Sequence, residues 1–485
     1  MEAWNLWGRG RSQQSVQDSS QNSAQNSWAA SLGIDFAALG QRLDAWRSPL
    51  ESSTPPRILL MARDPGEFIA GLVFANGLAQ RSPLWLFLGN PDWAIAEKQR
   101  VIEQVQPTQI WSDRHNPWRG GAETIHNAAS DFDGGSFLTP ERSYVAIATG
   151  GSSGQIRFAM HTWSSLRNSV GGFCDYFGGE LDGGRVHSFC TLPLFHVSGL
   201  MQFLRCAWSD GVFQLGKLPK NAEMPKLCWH SESSPAGFIS LVPTQLARLL
   251  ETPSVIAWLR QFRVILLGGA PAWADLLGRS RHLQLPLAPT YGMTETAAQV
   301  ATLKPVDFLA GKTGVGRLLP HVALKIGDGS QELGAITIQT PALAAGYWRG
   351  AAIAPYLATG DLGQLDDDGY LSILGRRDDV IITGGENVIP QEVEAAILAT
   401  GLAADVCVVG VPDGEWGQRV AAAWVPKSSH IPTAVEWRQA LGDRLSRYKH
   451  PKLWRSVRQI PRNSRGKLNR SAIAAWLLSE LHDSR

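Results

Sequence analysis

From about Phe36 to Leu374 the chain repeats short apolar runs, among them Leu84-Trp85-Leu86-Phe87-Leu88, Val145-Ala146-Ile147-Ala148 and Val264-Ile265-Leu266-Leu267. Each is closed by glycines or polar residues. Runs of this kind suit strands covered on both faces, and helix-length stretches lie between many of them. The alternation predicts an α/β domain with mainly parallel sheets, in which ligands bind where strands end and glycine-rich turns begin. Further on, Asp361 to Arg376 alternates strand-like residues around Asp366-Asp367-Asp368-Gly369, a turn sequence suited to a β-hairpin. The texture then changes. Val380-Ile381-Ile382 leads to Gly384-Gly385, and Pro390 is placed to start a helix from Gln391 to Leu398. Strand-like runs (Asp405 to Val411, Arg419 to Val425), a helix near Ala434 to Leu445, another strand and a final helix complete an α+β unit of domain size. The boundary is set near Arg377-Asp378, giving expected domains of 32–377 and 378–485, the second small and mobile. No internal repeat is evident.

Length supports this division, because 485 residues exceed what one compact core usually holds. Residues 1–31 form no signal-peptide core, and the Gln, Ser and Asn run from Ser12 to Ser27 has little to bury, so a flexible leader is expected. The 45 Lys and Arg nearly balance the 43 Asp and Glu, which removes the basic excess of a nucleic-acid binder. Every apolar stretch is interrupted before the ~18 residues of a membrane span. Five cysteines (Cys174, Cys190, Cys206, Cys228, Cys407) are scattered without a C-x-x-C pair, which argues against a disulfide framework or zinc site and suits a reducing cytoplasm.

Four segments carry candidate chemistry. Thr149-Gly150-Gly151-Ser152-Ser153-Gly154-Gln155-Ile156-Arg157 follows a strand, and its small residues allow backbone N–H groups to cradle a phosphate beside the charge of Arg157. It is no Walker A sequence, and taken alone it is weak evidence that an ordinary loop explains better. In Tyr291-Gly292-Met293-Thr294-Glu295-Thr296, the tyrosine suits a base, Thr294 a phosphate and Glu295 a Mg2+ ion, which prefers oxygen ligands. A helix N-cap at Thr294 with Glu295 in the first turn fits the same residues. Thr359-Gly360-Asp361 and Gly375-Arg376-Arg377-Asp378-Asp379 offer a carboxylate for a ribose diol and an arginine for sugar or phosphate, or else a turn aspartate and a solvated charge cluster. Pro461-Arg462-Asn463-Ser464-Arg465-Gly466-Lys467-Leu468 is a polar loop whose lysine, alone, is a surface residue.

Together and in this order the segments resemble the adenylate-forming superfamily of acyl-CoA synthetases, luciferases and peptide-synthetase adenylation domains. The resemblance runs from about Phe68 to the C-terminus. It implies that Thr149, Ser152, Ser153, Gly154 and Arg157 surround the β- and γ-phosphates. Gly269-Ala270-Pro271 with Tyr291, Gly292 and Met293 would bound the adenine, Thr294 would contact the α-phosphate and Glu295 the Mg2+. Asp361 and Arg376 would take the ribose. Lys467 would bridge the substrate carboxylate and α-phosphate, and Asp378 would be the hinge of the C-terminal domain. ATP, Mg2+ and coenzyme A follow as cofactors and co-substrate. The departures lie in the phosphate loop, where Gly150, Ile156 and Arg157 stand at the family's usual Ser or Thr, Pro and Lys; Arg157 keeps the charge in a planar fork. The region before Phe68 is also short against most relatives.

Leu192-Pro193-Leu194-Phe195-His196-Val197-Ser198-Gly199-Leu200 fills the family's acyl-pocket position. By resemblance His196 gates the acyl site; by its apolar surroundings alone it is a core histidine. With Leu241 to Leu246 and Leu267 to Pro271, this wording looks most like the o-succinylbenzoate:CoA ligases of menaquinone and phylloquinone synthesis. Such a substrate keeps a second carboxylate charged and needs a polar contact in an apolar pocket. Ser198 can donate to it, and Arg205, seven residues on, faces the same pocket if a helix begins there; otherwise Arg205 is a surface charge. Alternatives are a ligase for another aryl or medium-chain acid, an adenylation domain loading a carrier protein, and a chain that binds nucleotide without catalysis.

Overall fold

The computed structural model describes residues 55–113, 123–124, 138–150, 156–219, 223–229, 237–327, 333–353, 355–442, 444–461, 468 and 470–482. The expected leader and the assignments to Ser152, Ser153, Gly154 and Lys467 lie outside the described residues.

The first sheet contains β1 (Arg57–Leu60), β2 (Trp85–Leu88), β3 (Gln109–Trp111), β4 (Glu123–Thr124), β5 (Tyr144–Gly150) and β6 (Ile156–Thr162), in the order β4-β3-β1-β2-β5-β6. β3, β1, β2 and β5 run parallel, while β4 and β6 close the edges antiparallel. The second sheet holds β7 (Ser188–Cys190), β8 (Phe213–Leu215), β9 (Phe238–Leu241), β10 (Val264–Leu267), β11 (Leu287–Met293), β12 (Ala298–Thr302) and β13 (Arg317–Leu318), in the order β13-β12-β11-β10-β9-β7-β8. It is parallel from β11 to β8.

Burial on both faces explains the unbroken apolar runs. In β2, Leu86 and Leu88 enter one core while Trp85 and Phe87 enter another; in β10, Val264 and Leu266 part from Ile265 and Leu267 in the same way. The helices of this region are α1 (Pro65–Ala79), α2 (Ile95–Val105), α3 (Trp163–Tyr176), α4 (Val197–Trp208), α5 (Pro243–Leu249), α6 (Pro253–Leu259), α7 (Ala274–His282) and α8 (Pro305–Leu309). α1, α3 and α4 share one core with residues of both sheets, so they form the layer between them. Accordingly α1 is buried along nearly its whole length; Asp64 caps it by accepting from the Glu67 N–H at 2.9 Å, and Pro65 opens its first turn.

A third, antiparallel sheet follows with β14 (Ala323–Ile326), β15 (Leu333–Gln339), β16 (Leu357–Leu365) and β17 (Leu371–Arg376); the last two are the predicted hairpin. After a single turn at Arg377–Asp379 come β18 (Ile381–Thr383), β19 (Glu386–Val388), α9 (Pro390–Ala399), β20 (Ala403–Asp413), β21 (Gly417–Pro426), α10 (Ala434–Leu441), β22 (Leu453–Ser456) and α11 (Arg470–His482). Side chains alternate across β20 and β21. Val406, Val408, Val420 and Ala422 meet α9 and α10, whereas Cys407, Val409, Ala421 and Ala423 meet α11. The helix predicted to Leu445 ends at Leu441, where Gly442 interrupts it; Thr433 and Glu436 cap its start reciprocally. Among the described residues no helix is long and apolar enough to cross a membrane.

Candidate functional site

The strands on either side of the Gly/Ser segment, β5 and β6, pair antiparallel. Thr149 stands opposite Arg157 and Gly150 opposite Ile156 in the β5–β6 ladder. The exposed Arg157 guanidinium lies 4.4 Å from the centre of the Tyr347 ring, a cation–π contact. Tyr347 in turn donates its hydroxyl to Glu295 Oε1 at 2.7 Å. Burial, reinforced by the Glu295 charge, raises the Tyr347 pKa, which keeps the phenol protonated and able to donate. Three side chains from distant segments thus converge: a cation, a phenol and a carboxylate only 8 % exposed. Sequence reasoning missed Tyr347, whose only local signal is a Gly-Tyr pair.

Glu295 is held by a reversal of the chain. β11 and β12 run antiparallel, joined by one 3₁₀ turn at Thr294–Thr296 with Ala297 and Ala298 at positive φ. The helix expected by the N-cap reading of Thr294 is therefore absent; a strand follows because the turn closes on itself. Thr296, rather than Thr294, fastens it, with its Oγ within 3.1 Å of the Met293 carbonyl and 2.7 Å of the Ala298 carbonyl. Gly292 permits the close approach, since a Cβ there would stand 1.9 Å from the Ala298 oxygen. Behind the turn, His161 Nε2 donates to the Thr294 carbonyl at 2.7 Å, and its Nδ1 faces Ser165 Oγ at 3.1 Å. His161 is fully buried, and burial depresses its pKa to about 4, leaving a neutral imidazole that braces the turn. The sequence offered no sign of this role, because a lone histidine in an apolar strand is usually a core residue.

A second network starts four residues earlier. The Tyr291 hydroxyl donates to Asp361 Oδ2 at 2.5 Å, and Arg376 Nη1 donates to Asp361 Oδ1 at 3.0 Å and to the Thr359 carbonyl at 2.9 Å. Asp361 and Arg376 are direct partners across β16 and β17, so the hairpin itself sets their pairing. Burial and the Asp361 charge raise the Tyr291 pKa. Gly269-Ala270-Pro271 follows β10, whose Leu267 pairs with Pro289 of β11, so this segment and Tyr291 share the carboxyl edge of the parallel strands. Gly269 takes φ +82, a left-handed turn that suits glycine.

His196 occupies the N-cap position of α4, Ser198 is exposed in its first turn, and Arg205 lies two turns on. The surface reading of Arg205 fails. It is 4 % exposed, packed 4.0 Å over the Phe173 ring, and burial lowers its pKa to about 10. Asp378 is exposed with Oδ2 3.7 Å from Arg376 Nη2, whereas the adjacent Asp379 meets Arg470 Nε at 3.3 Å. Arg470 also grips Glu394 through Nη1 at 2.5 Å and Nη2 at 3.0 Å, tying the start of α11 to α9.

Comparison with known proteins agrees with this arrangement. A model of the AMP-binding enzyme family matches residues 91–348, more than half of the chain, and its C-terminal-domain counterpart matches residues 392–467. Over 339 residues, 68% of each chain, the sequence is 33% identical to a 2-succinylbenzoate–CoA ligase of Listeria monocytogenes serotype 4b. Over 344 residues, 67% of each, it is 34% identical to one of Geobacillus kaustophilus. The o-succinylbenzoate CoA synthetase of Bacillus subtilis in complex with its acyl-adenylate intermediate is similar at a TM-score of 0.70 and 25% identity, covering 92% of both chains. The same enzyme with ATP and magnesium ion gives 0.69 and 26%, covering 91% of this chain and 93% of that one. Matches that run through both the parallel-sheet region and the region after β17 leave one assignment: the chain belongs to the AMP-binding enzyme family.

Proposed function

We propose that the protein is an ATP-dependent o-succinylbenzoate:CoA ligase acting in the cytoplasm. The acid's carboxylate attacks the α-phosphate of ATP, releasing pyrophosphate; the coenzyme A thiol then attacks the acyl-adenylate carbonyl, releasing AMP and leaving the thioester. The observation that carries this reading is the convergence of Arg157, Tyr347 and Glu295 with Tyr291, Asp361 and Arg376 beside one strand edge, in a chain of this family.

The donor sets fit the groups they would meet. A carboxylate offers about four lone-pair sites, and Asp361 spends two on Tyr291 and Arg376, leaving acceptors for a ribose diol. Arg376 uses one nitrogen on Asp361 and Thr359, and keeps donors for sugar or phosphate. Glu295 presents an oxygen donor suited to Mg2+, which when bound would offset phosphate charge. Arg157 supplies positive charge at the mouth of the phosphate hairpin, and the Thr149–Gly154 loop would cradle the phosphates. Lys467 would stabilise charge at the carboxylate and α-phosphate during adenylation. Rotation about Asp378 would then bring the segment from Gly384 to Asn387 to the thiol. His196 would gate the acyl pocket beside Ser198. The named relatives and the wording around His196 support o-succinylbenzoate as the acid.

The test is ATP/pyrophosphate exchange with Mg2+ across a panel of acids, with coenzyme A consumption as the second readout. Exchange should need an acid, with o-succinylbenzoate giving the highest kcat/KM. Equal turnover of benzoate or octanoate would overturn the choice of acid, and inertness with every acid would favour nucleotide binding alone.

A further inference from the structure

Glu295 is a buried carboxylate, and among the described residues its side chain accepts from the Tyr347 hydroxyl alone. A buried carboxylate is ordinarily matched by a cation, because stripping its water without replacement is costly. A cation stands on the other side of the same tyrosine. The Arg157 guanidinium lies 4.4 Å from the ring centre and forms no ion pair among the described residues. Tyr347 thus touches both charges, its ring face against the cation and its hydroxyl on the carboxylate. Both act on the phenol in return: after burial, the Glu295 charge raises its pKa and Arg157 opposes the rise. The backbone fixes this placement. Ala345 donates to the Met160 carbonyl at 2.8 Å, Met160 to the Gly346 carbonyl at 2.9 Å and Trp348 to the Phe158 carbonyl at 2.9 Å. The segment carrying Tyr347 therefore lies along β6, the strand that carries Arg157. Ala344 donates to the Glu295 carbonyl at 2.8 Å, which joins the same segment to the turn that carries the carboxylate.

We propose that Tyr347 is a positioning residue that keeps Arg157 from pairing with Glu295, and so preserves the carboxylate for Mg2+ and the guanidinium for phosphate. The inference rests on the nucleotide-site reading given above and gives Tyr347 a role within it. An arginine fork matches a carboxylate bidentately, so direct contact would engage both Glu295 oxygens and the donors of Arg157 in one pair. The tyrosine offers each charge a lesser partner instead. A ring face holds an exposed guanidinium weakly, so phosphate oxygens can draw it away. A single hydroxyl engages Oε1 of Glu295 and leaves Oε2 uncommitted among the described residues.

The experiment measures, by equilibrium dialysis of labelled ATP against the full chain, the factor by which Mg2+ strengthens ATP binding relative to EDTA. Tyr347→Leu removes ring and hydroxyl together and should cut that factor at least about tenfold, the scale of a charged hydrogen bond. The same substitution made on Arg157→Met should change the factor by less than about threefold, because no cation remains to capture Glu295. A role in packing alone predicts equal losses in both backgrounds, and that result would overturn the inference. Tyr347→Phe keeps the ring between the charges and should stay within about threefold of the wild type. A loss as large as that of Tyr347→Leu would assign the effect to the hydroxyl and overturn the shielding. Tyr347→Gln also removes the ring, and it supplies the same comparison if Tyr347→Leu folds poorly. Glu295→Gln, dialysed in parallel, separates this inference from the reading beneath it. If Glu295→Gln lowers the factor while Tyr347→Leu leaves it intact, the role of Tyr347 alone is overturned. If Glu295→Gln leaves the factor intact, the Mg2+ role of Glu295 is overturned and the inference with it.

Discussion

His161 should make the protein acid-sensitive through a single buried ring. Its pKa falls from 6.5 to about 4 because burial penalises the imidazolium, so between these values the unfolded chain binds a proton that the folded chain refuses. Stability from this residue is fully present above pH 6.5 and is lost as pH falls toward 4. Each unit costs roughly 1.4 kcal/mol, so moving from pH 8 to pH 5 removes about 2 kcal/mol. His161→Gln keeps an amide donor for the Thr294 carbonyl but does not titrate. Urea denaturation of both proteins at pH 8 and pH 5 isolates the contribution of the ring, since every other titrating group is common to the pair and cancels in the difference. The wild type should lose about 2 kcal/mol more than the variant over this interval. Equal losses would mean that the imidazole is not held neutral behind the turn, and the bracing of the Glu295 turn by a neutral ring would be refuted with it.

Glu295→Gln should depress pyrophosphate exchange at least about 100-fold, because an amide is a poorer Mg2+ ligand than a carboxylate, while the melting temperature moves by less than about 3 °C; unchanged exchange would remove Glu295 from the site. Gly360→Ala places a Cβ 2.8 Å from Arg376 Nη2 at a φ of +75, so it should cost roughly 1–2 kcal/mol of strain and raise KM for ATP several-fold; an unaltered KM would show that Arg376 does not bind nucleotide. Lys467→Ala should lose adenylate formation yet still convert preformed acyl-adenylate and coenzyme A to thioester, whereas Asp378→Pro, with φ locked near −65°, should keep exchange and lose thioester formation. Single-turnover assays of each half-reaction decide this, and equal loss of both halves in either folded variant would refute domain alternation.

The parallel sheets were legible in the sequence because burial on both faces leaves a local mark: Leu84 to Leu88 and Val264 to Leu267 contain no residue that could face water. The hairpin from Leu357 to Arg376 was legible for a different reason, since a run of aspartates followed by glycine specifies its turn. Helix ends were less so, as Gly442 shows. What the sequence hid are the partners made by tertiary contact. Tyr347 acts on Glu295 from 52 residues away and His161 on Thr294 from 133, and nothing in either local segment distinguishes them from packing residues. Arg205 was ambiguous because spacing on a helix fixes a face but not what covers it; the covering turned out to be Phe173.

The same contacts explain why motifs that are weak alone become strong together. Asp361 is a turn aspartate until β17 brings Arg376 opposite it, and Tyr291 is an exposed-looking aromatic until its hydroxyl is taken by Asp361. Glu295 lies four residues beyond Tyr291, within the single turn that His161 braces. One short reversal therefore sets the separation between the group suited to ribose and the group suited to Mg2+. Loosening that turn should disturb both at once, so a variant such as His161→Phe, which removes the donor to the Thr294 carbonyl, should raise KM for ATP and lower kcat together. Steady-state kinetics in ATP would show it, and a change in only one of the two constants would mean that the turn does not couple the two groups.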